Sequence, residues 1–128
     1  MERNAIIKIR ESADGEAVLM TTGKVVRLGN SLNIIYGQEG AFYTIGISDG
    51  IVSVSRESDE DYSLILCEGK EDEFTVSTPF GDIDMKVVPE RVFYEENEQG
   101  VRVELVYELI GGGGSETFML YLECKYDN

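Results

Sequence analysis

The chain has 128 residues, 42% of them hydrophobic and 28% charged, and its 11 basic against 25 acidic side chains leave a formal charge of −14 and a pI near 4.2. That length fits one domain over residues 1–128, with room for a real core but not for two ordinary ones. Acid on this scale repels phosphate backbones and anionic lipid, which sets nucleic acid and membrane surfaces aside as partners and leaves the carboxylates the ordinary task of solubility.

In chain order, apolar and polar residues alternate almost without a break, the period-2 mark of half-buried strands. The start, Met1 to Lys8, lacks the apolar stretch of a signal peptide, and no later run approaches a membrane span, so a cytoplasmic location is expected. Ala5, Ile7 and Ile9 share one face of a first strand, closed by a Ser12-Ala13-Asp14-Gly15 turn; Ala17, Leu19 and Thr21 continue as its hairpin partner. Gly23 permits a bend before residues 25–28. Gly29-Asn30 then turns the chain into Leu32, Ile34 and Tyr36, and a turn over 37–40 leads to Tyr43, Ile45 and Ile47. Asp49-Gly50 is a strong hairpin signal before the strand over 51–56.

An acidic loop over 57–61 precedes a strand over 62–68, and a further strand over 73–78 stops at Pro79, which has no ladder donor. Ile83, Met85 and Val87 resume the alternation; Pro89 breaks it again before 92–94, and 95–100 reads as a solvated turn. Val101, Val103, Leu105, Tyr107 and Leu109 then share one face of a long strand, with Arg102, Glu104 and Glu108 on the other. The glycines at 111–114 read as a flexible loop, and Phe118, Leu120, Leu122 and Cys124 form the last apolar face. Roughly nine to eleven strands joined by short turns describe an all-β antiparallel meander. Such a sheet must close or split to hide its edges, and a single β-barrel is the expected closure, a sandwich the alternative.

The chemistry is marked by what is missing. Without histidine there is no Ser-His-Asp or Cys-His catalysis and no common zinc ligand. Cys67 and Cys124, the only cysteines, read as reduced, buried small hydrophobes. The acidic clusters at 57–61, 68–73 and 95–98 lack the spacing of a calcium loop, and the four glycines lack the lysine of a phosphate loop. No cofactor, no metal and no enzymatic activity are therefore expected. Seven tyrosines and five phenylalanines, with Met20, Met85 and Met119, supply walls of the kind small-molecule pockets use. Tyr36 and Tyr107 should point inward, and Thr21, Ser53 and Ser55 should add hydroxyls there; a filled core accounts for the same aromatics.

Gly23-Lys24, the run from Gly29 through Leu32, Ile34 and Tyr36, the Thr78-Pro79-Phe80-Gly81 tetrapeptide and Val106-Tyr107-Glu108-Leu109 resemble the YwiB-like domain-of-unknown-function family of bacteria. The likeness runs from about Lys8 to Glu123, with Phe80 standing where the family commonly has Tyr. It implies a calycin-type barrel, similar in shape to lipocalins, in a bacterial cytoplasmic protein, and carries over no activity. The expectation is thus a non-enzymatic binder of a small, partly apolar ligand at the mouth or in the lumen, with Tyr36, Thr78, Phe80, Tyr107 and Tyr121 as ligand-binding candidates. The alternative is a protein-interaction module acting through the acidic surface or an exposed strand edge, a homodimer through such an edge included.

Overall fold

The structure, a computed structural model, describes residues 1–11 and 18–127. The expected turn at Ser12–Gly15 and its neighbour Ala17 lie outside the described residues. Ten strands follow in order: β1 (Glu2–Glu11), β2 (Val18–Leu28), β3 (Ser31–Gln38), β4 (Ala41–Ser48), β5 (Ile51–Glu57), β6 (Tyr62–Leu66), β7 (Asp72–Thr78), β8 (Gly81–Asn97), β9 (Gly100–Gly111) and β10 (Gly114–Tyr126). Every pairing between them is antiparallel, in the sheet order β6-β5-β4-β3-β2-β1-β10-β9-β8-β7. Each strand lies beside its sequence neighbour, and β1 returns to β10, with Ile7 opposite Cys124 and Ile9 opposite Leu122. The two ends of this sheet, β6 and β7, meet again at Asp61 and Ser77, whose backbones exchange bonds of 3.0 and 2.8 Å. The meander is a nearly closed barrel with one thin seam. Among the described residues no helix is long and apolar enough to cross a membrane.

The expected alternation is what fills the barrel. Val25, Ile34, Ile45, Val54 and Leu64 stand opposite one another on five adjoining strands and all face inward. Ile7, Ile9, Leu105 and Leu122 meet them from the far wall, each with almost no exposed surface. Burying a side chain of this size stabilises by about 1.5–3 kcal/mol, so these rows dominate the favourable side of folding. Val101, Val103, Leu105 and Tyr107 are buried as their spacing implies.

Four local expectations change. Pro89 does not end a strand: β8 runs straight through it, with a bulge at Glu90 between the pairs Pro89–Tyr107 and Arg91–Val106. The missing N–H costs nothing because β7 begins only at Asp72, opposite Val87, and so never flanks Pro89. Its carbonyl there accepts from the Gly69 N–H at 3.4 Å. The bulge also reverses which residues face inward, from Val87 and Pro89 to Val92 and Tyr94. The four glycines form a tight turn, Gly112 and Gly113 at φ of 61° and 85°, with Gly111 and Gly114 already paired in strands. Residues 95–97 belong to β8, and the turn is only Glu98-Gln99, held by the Asn97 carboxamide accepting from the Gln99 and Gly100 N–H groups at 2.8 and 3.1 Å. Ser53 and Ser55 face outward, because Val52 and Val54 take the inward positions of β5.

At Gly23 the pairings of β2 with β1 and β3 run on in register, without a bulge. A Cβ there would run into the Ile35 carbonyl and the Ile7 side chain, so β2 can press against β1 and β3 only as glycine. Gly23→Ala is expected to lower stability by about 1–3 kcal/mol, whereas Gly37→Ala, whose Cβ would meet the Phe42 ring at an ordinary 3.6 Å, should stay within about 1 kcal/mol; urea midpoints of the two variants check this.

Candidate functional site

The two ends of the barrel differ in kind. At the end where β2 finishes, polar contacts cross the opening: Arg27 pairs with Glu96 of β8, and the Gly50 N–H of the β4–β5 turn donates to the Tyr94 hydroxyl at 2.8 Å. At the other end the inward row reads Gly23, Tyr36, Tyr43, Arg56 and Tyr62, directly opposite one another on β2 to β6. An arginine thus stands between tyrosines on the inner face of the sheet, where the rows beneath are wholly aliphatic.

Three aromatic pairs build this end. Tyr36 and Tyr43 stack at 5.2 Å, Tyr107 and Phe118 at 6.0 Å, and Tyr62 meets Phe74 edge-on at 6.2 Å across the seam. Tyr36 and Tyr107 are buried and form a floor, while Tyr43, Arg56 and Tyr62 are partly open above it. The Arg56 guanidinium lies 5.9 Å from the Tyr43 ring centre, and its Nη1 reaches Glu60 of the acidic loop, at 3.4 Å from the carbonyl and 3.6 Å from the carboxylate. Its Nε is buried without a hydrogen-bond partner. An unmet donor on a charged group is costly, which makes it the most informative polar atom in the barrel.

Burial pushes the Tyr36 and Tyr107 phenols far above their ordinary range, with nearby Glu11 and the neighbouring tyrosines adding to the effect. Burial likewise takes Tyr62 up to about 12 and raises Tyr43, against the opposing pull of Arg56. All four therefore remain neutral hydroxyls at physiological pH and can donate. Within the row the Tyr43 hydroxyl interacts with the Arg56 guanidinium; outside it Tyr94 accepts from the Gly50 N–H, and Tyr121 and Tyr126 reach the Met119 sulfur and the Glu96 carboxylate.

Among the described residues, aliphatic rows occupy the barrel's middle. Two open depressions lie on the surface: about 500 Å³ over β7, β8 and β9, lined by Glu73, Thr75, Asp84 and Lys86, and about 380 Å³ beside the glycine turn, lined by Met85, Leu109, Phe118 and Gly111 to Ser115. The second opens at the tyrosine end. The lumen expected as one alternative for a ligand is filled by side chains.

Of the five residues singled out from the sequence, Tyr36 and Tyr107 come together in the floor. Thr78 and Phe80 lie at the tip of the β7–β8 hairpin. The Thr78 hydroxyl donates to the Gly81 carbonyl at 2.6 Å and accepts from the Phe80 N–H at 3.1 Å, and the Phe80 ring is 99% exposed. Tyr121 faces outward on β10, between Arg10 and Glu104, its hydroxyl on the Met119 sulfur at 3.9 Å. Arg56, Tyr43 and Tyr62 were not singled out. The spacing of Val52, Val54 and Arg56 was the available signal that an arginine faces inward.

A family model described as a domain of unknown function (DUF1934) matches residues 4–119. The chain belongs to that family. Among solved structures, the ywiB protein from Bacillus subtilis is similar with a TM-score of 0.79 and 16% identity, over 99% of this chain and 94% of that one. At that identity the likeness concerns the fold, and the family resemblance carried by Gly29–Tyr36 and Thr78–Gly81 agrees with it. A search of curated proteins gives no match.

A free phenol titrates near 10. Above that pH the unfolded chain sheds tyrosine protons that the folded chain keeps, so stability is unaffected below about pH 10 and falls above it. With its folded value near 12, Tyr62 should account for part of that fall. Urea midpoints between about pH 8 and 11 are expected to drop less steeply for Tyr62→Phe than for the parent chain.

Proposed function

We propose that this protein is a non-enzymatic binder that takes a small, partly apolar molecule bearing an anionic group at the tyrosine end of the barrel. The observation that carries this reading is the buried, unpartnered Arg56 Nε in a row with Tyr36, Tyr43 and Tyr62. A guanidinium edge matches a carboxylate or phosphate in two parallel bonds, and neutral phenols at its side add donors without adding charge. The depression beside the glycine turn, walled by Met85, Leu109 and Phe118, is where the apolar part would lie. Glu11 and Glu60 at the same end oppose large anions, which favours a ligand with one compact acidic group. The row offers no nucleophile paired with a base, so binding rather than turnover is the reading it supports.

A second reading, an interaction module acting through a strand edge, draws on the seam. Asp61 and Ser77 exchange both bonds of a pair, so the alternate residues Ser63 and Ile65 of β6 and Thr75 and Glu73 of β7 turn their backbone groups toward the gap. A partner's extended segment could pair there.

Native mass spectrometry of protein purified from cells, with solvent extraction of cargo, tests the first reading directly. A straight-chain alkyl carboxylate and the alcohol of equal length serve as probes in NMR titration. The carboxylate should shift the Arg56 side chain and the tyrosine ring signals, the alcohol should bind at least about tenfold more weakly, and Arg56→Leu should abolish the difference. Equal binding of alcohol and acid, or no cargo and no shift at millimolar carboxylate, overturns it.

A further inference from the structure

The outer wall of the barrel is divided by charge. Over β1, β10, β9 and β8 the outward positions carry charges of both signs among apolar ones, with Lys8 opposite Glu123, and Arg102 within 3.8 Å of both Glu95 and Glu104. Over β3 to β6 the outward rows are different. One runs Asn33, Gly46, Ser53 and Ile65; the next runs Ile35, Thr44, Ser55 and Ser63. Among the described residues of these four strands, Glu57 at the rim is the one ionisable side chain that faces outward. In a chain of net charge −14, so large an uncharged face is conspicuous.

Its texture suits contact. A Cβ at Gly46 would press on the Ser53 hydroxyl and the Asn33 carboxamide, so the face stays low at its centre. The Ser55 and Ser63 hydroxyls bond each other at 3.1 Å, so covering them strands little hydrogen-bonding capacity. Around them Phe42 is 64% and Ile65 49% exposed, with Ile35 and Ile51 also open. Four strands about 4.8 Å apart and about seven residues long make a face roughly 15–19 Å by 23 Å, the size of a small interface rather than an obligate one.

We propose that this face is where a second copy of the chain docks, by a two-fold contact of β3–β6 against β3–β6. Charge decides the occupant. Two chains of −14 repel wherever carboxylates meet, and this face, uncharged over four described strands, lets them touch while their acidic groups stay at the margins, near a Debye length away. A basic partner finds nothing here to pair with and would be drawn to the acidic turns instead, and anionic lipid is repelled by the whole chain. The contact is distinct from the tyrosine end and does not depend on ligand binding there.

The test is sedimentation equilibrium of the full chain from about 10 µM to 1 mM, a range matched to a small interface. The parent mass should move from 14.3 kDa toward twice that value as concentration rises. Raising salt from about 0.05 to 0.5 M should tighten association several-fold, because screening relieves like-charge repulsion. Thr44→Glu at the centre of the face should hold the chain monomeric, and so should Ser53→Glu, each with a urea midpoint showing an intact fold. Thr117→Glu on the charged wall should behave as the parent. A parent that stays at 14.3 kDa throughout overturns the proposal. So does a dimer that survives both face variants, or one that salt weakens.

Discussion

The pairing of β1 with β10 joins segments more than a hundred residues apart, and the rest of the molecule depends on it. Without it the meander would be an open ribbon with long free edges, and the inward rows would face water on one side. With it, Ile7 and Ile9 lie against Cys124 and Leu122, and the apolar faces of all ten strands look into one another. The contact is non-local, so its loop-closure entropy must be met before its apolar burial is gained. The remaining seam between β6 and β7 is bridged by the Asp61–Ser77 bonds and the Tyr62–Phe74 ring contact, and beyond the start of β7 the Val92 N–H of β8 donates to the Glu68 carboxylate at 3.3 Å.

Closure also distributes the chemistry. Aliphatic rows occupy the middle of the barrel, so among the described residues polar inward side chains lie toward the ends. One end is crossed by the Arg27–Glu96 and Gly50–Tyr94 contacts, and the other carries Arg56 among phenols. The outer wall is sorted in the same manner, with charge on β8, β9, β10 and β1 and its near-absence on β3 to β6. Inside and outside thus each present one exceptional surface, and the two face different directions.

Much of this was legible along the chain. The alternation in Val101 to Leu109 and the Asp49-Gly50 turn required nothing beyond period and turn chemistry. Where the reading failed, a neighbour had overruled a local signal. Pro89 looked like a strand end because its missing donor is normally felt, yet β7 does not reach it. Ser53 and Ser55 looked inward until Val52 and Val54 claimed that side of β5. Of the candidate residues, Tyr36 and Tyr107 face inward with the apolar faces that carry them, whereas Tyr121 lies on the outer wall and the Thr78 hydroxyl bonds within its own turn.

By itself the sequence determined the strand class, the short antiparallel connections and the absence of histidine chemistry, because each is written in spacing or in composition. Only the tertiary structure decided what stands beside what. Arg56 is an unremarkable residue near the end of a strand until register sets it between Tyr43 and Tyr62, and Asn33, Gly46 and Ser53 are ordinary until they form one row. Register across strands is fixed by the joint packing of ten inward faces, a property of the closed sheet that no single segment contains.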